Sequence, residues 1–288
     1  MAIRVFYEAD NGRSIEFSEL SGIRLTALDD ISGNTVELSE STVMDQIGSS
    51  VSGRSIQAKD LTLEGRYRYS PETRRKLLAT ILPGVDATLR YVNEREGTDV
   101  YWRVSPKQTP VISLHPVWQS FQFVVRVPFP YPRKTDETQY DFMQDKSLFK
   151  FPFTYPSKTT FKISERIVNP LIAIENTGDL VSGFMVRMTA SADGVKGPYL
   201  INVDTQEAIR FSDLTLSNGD ILEVCTRTNE KYTHLIHGGE TSNIFGAMDY
   251  DSVLFRLPTG TSNIRAGASA NEGSLATSIY FNELTAGV

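Results

Sequence analysis

The chain has 288 residues, of which 40% are hydrophobic and 22% are charged, so it can form one large or two medium domains, each with its own core. Its formal net charge of −6 argues against a nucleic-acid-binding protein that works by neutralising phosphates. It contains no run approaching the roughly 18 apolar residues of a membrane-spanning helix, so membrane insertion is not expected.

Alternating apolar and polar residues predict strands through the first half of the chain. In the clearest case Leu61, Leu63 and Tyr67 alternate with polar residues, which is the period-two pattern of a half-buried strand. We expect strands near residues 3–7, 14–17, 23–28, 61–69, 87–92, 99–104 and 118–127.

One helix is predicted between two of these strands. Ser70 stands at the N-cap position, and Pro71 suits the first helical position because it lacks an N–H and has a fixed φ. Pro83-Gly84 stops the helix. An amphipathic helix of about three turns, packed on a sheet, carries no catalytic residues of its own. It indicates a structural protein and not an enzyme. Its apolar stripe consists of Leu77, Leu78, Ile81 and Leu82.

Residues 29–54 are predicted to form a long loop rich in serine, glycine and threonine. A loop of this length in a compact domain is usually functional or disordered. Its isolated apolar residues favour a segment that becomes ordered against a partner, with ordinary surface disorder as the alternative. The candidate subunit-interface residues are Val36, Leu38, Val43, Met44, Ile47, Val51 and Ile56.

A proline-rich stretch between residues 128 and 156 marks the boundary between two predicted domains. We expect a first domain over residues 1–132, a linker over 133–157 and a second domain over 158–288. From residue 159 onward no helix is predicted, and the cleanest strands cover residues 184–190 and 253–257. Many short strands separated by turn signals predict a sandwich or jelly roll, so the fold class is mostly β.

The residues offer little catalytic or metal chemistry. His234 and His237 form the best metal-like pair, but the alternation around them predicts a strand, which would put them on opposite faces. Asp249 and Asp251 could bind calcium or supply the two carboxylates of a glycoside hydrolase, although a solvated turn is the favoured alternative. No nucleotide-binding or nucleophile motif occurs. We therefore expect no enzyme activity, no metal and no cofactor.

The single cysteine and the two tryptophans are expected in the interior. Cys225 lies in an alternating run, which predicts a buried thiol, and a chain without a disulfide is suited to a reducing cytoplasm. Trp102 and Trp118 each occupy a strand pattern, for which a core position is the default. A sugar-binding sandwich remains an alternative, with exposed aromatic residues such as Trp118, Tyr199 or Tyr232.

Three stretches of the sequence, taken together, resemble one known protein family, and the resemblance covers nearly the whole chain. They are Gly48…Gly53-Arg54-x-Ile56 leading into Leu61-x-Leu63-x-Gly65 and Ser70-Pro71, then Phe121-x-Phe123-x-Val125 running into Pro128-Phe129-Pro130-Tyr131, and finally Phe255-x-Leu257-Pro258-x-Gly260-x-x-Asn263-Ile264. In this order they resemble the distal tail protein (Dit) family of long-tailed bacteriophages, the hub at the tip of the tail. Pro132 departs from the pattern, because relatives often carry another aromatic residue there.

The resemblance implies a tail-tube-like β-sandwich with one flanking helix, followed by a galectin-like β-sandwich. It implies a homo-hexameric ring that joins the tail tube, built of the major tail protein, to the tail-tip protein (a tail-associated lysin), with receptor-binding proteins at the periphery. DNA would pass through the axial channel without specific binding. Residues 29–54 match the extended hairpin with which such proteins wrap a neighbouring subunit. The implied location is the virion tail tip, after assembly in the host cytoplasm.

Two other functions stay open at this point. A carbohydrate-binding or glycan-cleaving β-sandwich protein is the competing class, and it would depend on an exposed aromatic residue or on Asp249 and Asp251. A tail-tube subunit proper is the third, and it would polymerise into tubes with little need of a second domain.

Overall fold

The computed structural model describes residues 3–29, 31–42, 47–147 and 164–288. The described chain is mostly β, with one α-helix and several antiparallel sheets, as the sequence predicts. It divides into two compact units, the first made of residues 1–136 with 284–288 and the second of residues 137–283. The domain bounds drawn from the sequence stay a prediction.

The first unit is a β-sandwich with one helix. Its elements in chain order are β1 (Ile3–Ala9), β2 (Ser14–Phe17), β3 (Ile23–Asp29), β4 (Val36–Ser41), β5 (Ser50–Ile56), β6 (Lys59–Arg68), α1 (Pro71–Thr80), β7 (Ala87–Asn93), β8 (Thr98–Pro106), β9 (Val111–Ile112), β10 (Trp118–Val127) and the start of β11 (Arg133–Asp141). One sheet has the order β2-β1-β7-β8, with β11 added to β8, and the other has the order β3-β6-β10-β9. Every strand predicted in this half of the chain is confirmed, to within two residues at each end.

Aromatic side chains from both sheets fill the core of the first unit. Phe17 stacks on Phe121 with ring centroids 5.7 Å apart, and Tyr7 meets Phe123 edge-on at 6.1 Å. Trp102 is buried, and its Nε1–H donates to a backbone carbonyl at 3.1 Å. Such pairs stabilise a core by about 0.5–1.5 kcal/mol beyond the area they bury.

The predicted helix is confirmed and covers one side of the sandwich. The Ser70 hydroxyl accepts a hydrogen bond from the Thr73 N–H at 3.3 Å, and Pro71 is the first helical residue. The helix ends at Thr80, consistent with the approach of Pro83, because residues just before a proline avoid the helical region. Of the predicted stripe, Leu77 and Ile81 are fully buried and the other two leucines are half-buried.

Strands β4 and β5 form a β-hairpin in a segment where the residue pattern alone predicts a loop and the resemblance implies an extended hairpin. Strands β4 and β5 pair from Val36 opposite Ile56 to Ser41 opposite Ser50, and they form a sheet of their own. Almost every described residue of the two strands is exposed. Neither strand has a buried face, which is the feature that usually makes a strand recognisable from its pattern.

The second unit is also built of paired sheets. Its elements are the end of β11, β12 (Met143–Ser147), β13 (Ser164–Val168), β14 (Leu171–Asn176), β15 (Phe184–Ala190), β16 (Val195–Asn202), β17 (Ala208–Arg210), β18 (Thr215–Leu216), β19 (Ile221–Cys225), β20 (Tyr232–His237), β21 (Glu240–Asn243), β22 (Gly260–Ala270) and β23 (Leu275–Leu284), with single 3-10 turns at Phe245–Ala247 and Glu272–Ser274. One sheet has the order β14-β22-β16-β17, with β18 on β16, and the other runs β23-β15-β19-β20-β21. Buried aromatic residues fill the core between them, including Phe184, Phe211, Phe255 and Phe281.

One sequence interpretation needs correction in this half. Residues 253–257 were predicted as a strand, but in the described chain only an isolated bridge between Leu257 and Ser182 forms there. Phe255 and Leu257 are nevertheless buried. Their apolar spacing therefore reflects packing in the core and not backbone pairing with a neighbouring strand. The predicted linker contains strands β11 and β12 up to residue 147, and residues 148–157 lie outside the described residues. The strand over 184–190 is confirmed.

Candidate functional site

The hairpin of β4 and β5 is anchored to the first unit at its base. Lys59 Nζ donates to the carbonyl oxygens of Ile31 and Gly33 at 2.9 and 3.2 Å. On the other side, Asn34 Nδ2 donates to the Ala286 carbonyl at 2.8 Å. These bonds hold the two chain segments that lead into and out of the hairpin, so its base is fixed to the first unit.

One face of the hairpin is apolar. Residues directly opposite each other in an antiparallel pair lie on the same face. The register therefore places Val36 with Ile56, and two residues further along it places Leu38 with Arg54. The face opposite carries Glu37 and polar or small residues of both strands.

A β-bulge brings Val51 onto this apolar face. Ser39 pairs with Gly53, but the next residue, Glu40, pairs with Val51, so Ser52 is the extra residue. The Ser52 hydroxyl donates to the Ser39 carbonyl at 3.0 Å and closes the bulge. Without the shift, Val51 would lie on the polar face, because one residue of slippage reverses the side on which a strand residue points.

The structure brings four of the seven candidate interface residues together and leaves them exposed. Each of the four is 44–49% exposed, and Ile47, near the turn, is fully exposed. Val43 and Met44 lie outside the described residues. A contiguous apolar surface of this kind marks an interaction site or an aggregation liability. The four residues, which we call the hairpin face, are Val36, Leu38, Val51 and Ile56.

Sequence reasoning missed the two charged members of this face, Glu40 and Arg54. A short signal was available, because Val36 and Leu38 alternate with the polar Glu37 and Ser39, as in a strand. The bulge interrupts the same period in the returning strand, which obscures the pairing in the sequence.

The charged residues on the outer face of the first sheet are paired with each other. Arg90 makes two hydrogen bonds to Asp99, at 2.8 and 2.5 Å, and Arg103 makes two to Asp10, at 2.9 and 2.7 Å. The Arg90 guanidinium holds the pKa of Asp99 below its usual value, and hydrogen bonds from Arg103 lower the pKa of Asp10. These carboxylates are ionised structural partners, which makes them poor candidates for acid–base chemistry.

The histidine pair is not arranged to bind a metal. His234 and His237 belong to strand β20, where residues three apart point to opposite faces, as predicted. The His237 Nδ1 atom lies 2.6 Å from an Asp220 carboxylate oxygen, and the His234 ring stacks on Tyr232 at 4.4 Å. Among the residues that the structure describes, no three metal-binding side chains come together.

The two aspartates near residue 250 hold a turn together. Asp249 accepts hydrogen bonds from the backbone N–H of Ser212 at 2.9 Å and from its hydroxyl at 2.5 Å. Asp251 forms an ion pair with Arg210 at 3.1 Å. Both carboxylates thus have structural partners at the end of β17 or just after it, as expected for a turn.

The two tryptophans differ from each other. Trp102 is buried as predicted, and so is the Cys225 thiol. Trp118 is 52% exposed, so the prediction of a core position was wrong. It is the first residue of β10 and points to the outer face of its sheet, opposite Arg68. Tyr199 and Tyr232 are half-buried.

Comparison with known proteins identifies similar folds but no similar sequences. No protein-family model matches the chain, and no curated protein matches it. The chain is similar in structure to the Dit (gp 19.1) protein of SPP1, described as a hub of the adsorption apparatus in phages that infect Gram-positive bacteria, with a TM-score of 0.64 and 13% identity over 97% of this chain and 98% of that one.

It is also similar to chains of the phage P2 baseplate in its activated conformation, in forms with Ca and with Sr. Both have TM-scores of 0.58 over the full length of both chains, at 11% and 12% identity. The fold is therefore that of a Dit-like tail hub protein. Within the described residues no helix has the length and apolarity to span a membrane.

Proposed function

We propose that this chain is the hub at the distal end of a phage tail. In this role six copies form a ring that continues the tail tube and leaves an axial channel for DNA. The ring joins the major tail protein above to the tail-tip protein below, with receptor-binding proteins at its periphery. The full-length similarity in fold to phage hub and baseplate proteins supports this role.

The observation that carries the proposal is the exposed hairpin face. Four exposed aliphatic side chains share one face of a hairpin whose strands pair with neither sheet of their own unit. Each of them is already about half covered, so covering the rest would stabilise a complex by about 1 kcal/mol per side chain, before the entropy of ordering is subtracted. A surface of this kind suits a contact with another copy, since a ring subunit presents one surface to the neighbour on one side and a different surface to the other.

We propose further that the protein is not an enzyme. The histidines and carboxylates that sequence reasoning singled out are occupied by structural partners. The work of the chain would lie in binding and in holding an open channel, and neither requires a bond to be made or broken.

The test is a pair of substitutions on the hairpin face. The double variant V36S/L38S removes apolar surface from a region that contributes nothing to the two cores, so the fold should persist while assembly weakens at least tenfold. The matched control, S39A/S41A, alters the opposite face of the same strand and should assemble like the unmodified chain. Light scattering after gel filtration measures both, and an unchanged mass for V36S/L38S would contradict the proposed role of the hairpin.

A further inference from the structure

A groove on the first unit has the shape and character to receive the hairpin of another copy. We propose that the hairpin face of one subunit packs into the groove between strands β2 and β3 of its neighbour. This inference rests on the proposed ring and identifies the acceptor surface, which neither the sequence nor the comparisons indicate.

The groove lies where the sandwich is open along one side. Strand β2 is the edge of the first sheet, and in the described chain β3 has only β6 as a neighbour, so it is an edge of the second sheet. Between these edges lies a cavity of about 340 Å³. Its apolar walls are formed by Ile3, Val5, Phe17, Leu25, Leu28 and Tyr91.

The walls of the groove are core residues that remain incompletely covered. Val5 and Phe17 are fully buried, whereas Leu25, Leu28 and Tyr91 are only partly buried although they pack against the same core. Ile3, at the mouth, is 53% exposed. An apolar side chain inserted here would therefore extend the existing core, which is the arrangement found at the centre of stable interfaces.

The size of the groove matches part of the hairpin face. A cavity of about 150 Å³ is enough to hold a benzene molecule, so the groove has room for two or three aliphatic side chains. The hairpin face offers Val36 and Ile56 as one cross-strand pair and Leu38 beside them. Hairpin and groove are thus comparable in extent, and both are uncovered in the single chain.

The charges around the two surfaces also correspond. Glu19 and Arg24 lie at the groove and are 3.6 Å apart, with most of Glu19 and half of Arg24 exposed. The hairpin face carries one charge of each sign as well, Glu40 and Arg54. Docking can therefore pair Glu40 with Arg24 and Arg54 with Glu19, which fixes the orientation more than it adds affinity.

A second copy is the occupant that this arrangement favours. Every copy carries one hairpin face and one groove, which consist of different residues of the same unit, so contacts between the hairpin face of one copy and the groove of another are head-to-tail. Contacts of this kind close into a ring when the rotation between neighbours permits it, and they build a filament otherwise.

Disulfide trapping between copies tests the contact directly. Cys225, the only native cysteine, is buried, so introduced cysteines will dominate the reaction. Full-length chains carrying L38C are mixed with chains carrying I3C and are oxidised mildly. We expect a covalent dimer on a non-reducing gel, at a level at least tenfold above that of the control mixture of L38C with V111C. Val111 is 64% exposed on β9, at the opposite edge of the second sheet.

The outcomes separate this inference from the proposed function. If rings form but residue 38 does not cross-link to residue 3, or cross-links equally to residue 111, the groove is not the acceptor site. The proposed ring itself would still stand. A chain that stays monomeric would contradict both. A charge exchange gives a second measurement, in which R24E weakens assembly by up to about fivefold and E40R in the same chain restores it.

Discussion

Gly65 shows how a single residue fits between its two neighbouring strands, β3 and β10, in the second sheet of the first unit. A Cβ built at this position would lie 2.5 Å from the Arg24 carbonyl oxygen and would overlap the Phe121 ring. We expect G65A to destabilise the first unit by about 1–3 kcal/mol, the usual cost of overpacking a core. Urea unfolding measures the change. G33A is the matched control, because a Cβ at Gly33 meets nothing within 4 Å, and an equal loss in both variants would contradict the explanation.

Tyr7 links the stability of the first unit to alkaline pH. Burial, with the Asp86 and Asp10 carboxylates nearby, raises its pKa to about 12. In the unfolded chain the phenol ionises near pH 10, so above that pH the folded state binds more protons and stability falls as the pH rises towards 12.

Replacing Tyr7 should remove its contribution to the loss of stability at alkaline pH. The Tyr7 hydroxyl is buried without a hydrogen-bond partner among the described residues, so Y7F should be at least as stable as the unmodified chain at pH 7. Between pH 10 and 12 its stability should fall less steeply. Denaturant titrations at several pH values check this, and two parallel curves would rule out Tyr7 as a source of the pH dependence.

At the scale of elements, the helix depends on the cap that the sequence displays. The Ser70 hydroxyl is bonded to the Thr73 N–H, so S70A should cost about 1 kcal/mol. S70D keeps an acceptor at the same position and adds a negative charge at the helix N-terminus, so it should retain the stability. Thermal unfolding of the two variants distinguishes them. An S70A variant as stable as S70D would show that the cap contributes nothing.

Elements with one buried face could be predicted, and elements without such a face could not. Strands β2 and β10 begin and end at the predicted residues because their side chains alternate between core and solvent. The two strands of the hairpin could not be placed from the residue pattern, and only the resemblance indicated a hairpin, because both of its faces are exposed in the single chain. The reverse error occurred at Phe255 and Leu257, which reach the core from a segment whose backbone pairs at one position only within the described chain.

The candidate site was predicted in part, for the same physical reason. Isolated apolar residues in a polar segment indicate a binding partner from the sequence alone, and four of them do share one face. Val51 joins the other three only through the bulge at Ser52, and the groove depends on which strands lie at the sheet edges. Both are properties of pairing between distant segments, which no local pattern encodes.

At the scale of the whole molecule, both units are β-rich with their own cores, and the chain has a fold seen in phage tail hubs. The acidic net charge is compatible with the proposed DNA channel, because like charges repel each other.

The mass of the purified, unmodified chain in solution tests the central claim most directly. Sedimentation velocity over a wide concentration range should reveal a species of about six times the 32.1 kDa chain mass, and electron micrographs of that fraction should show rings with a central opening. A single species at the mass of one chain at every concentration, both alone and after mixing with tail-tube and tail-tip proteins, would contradict the account.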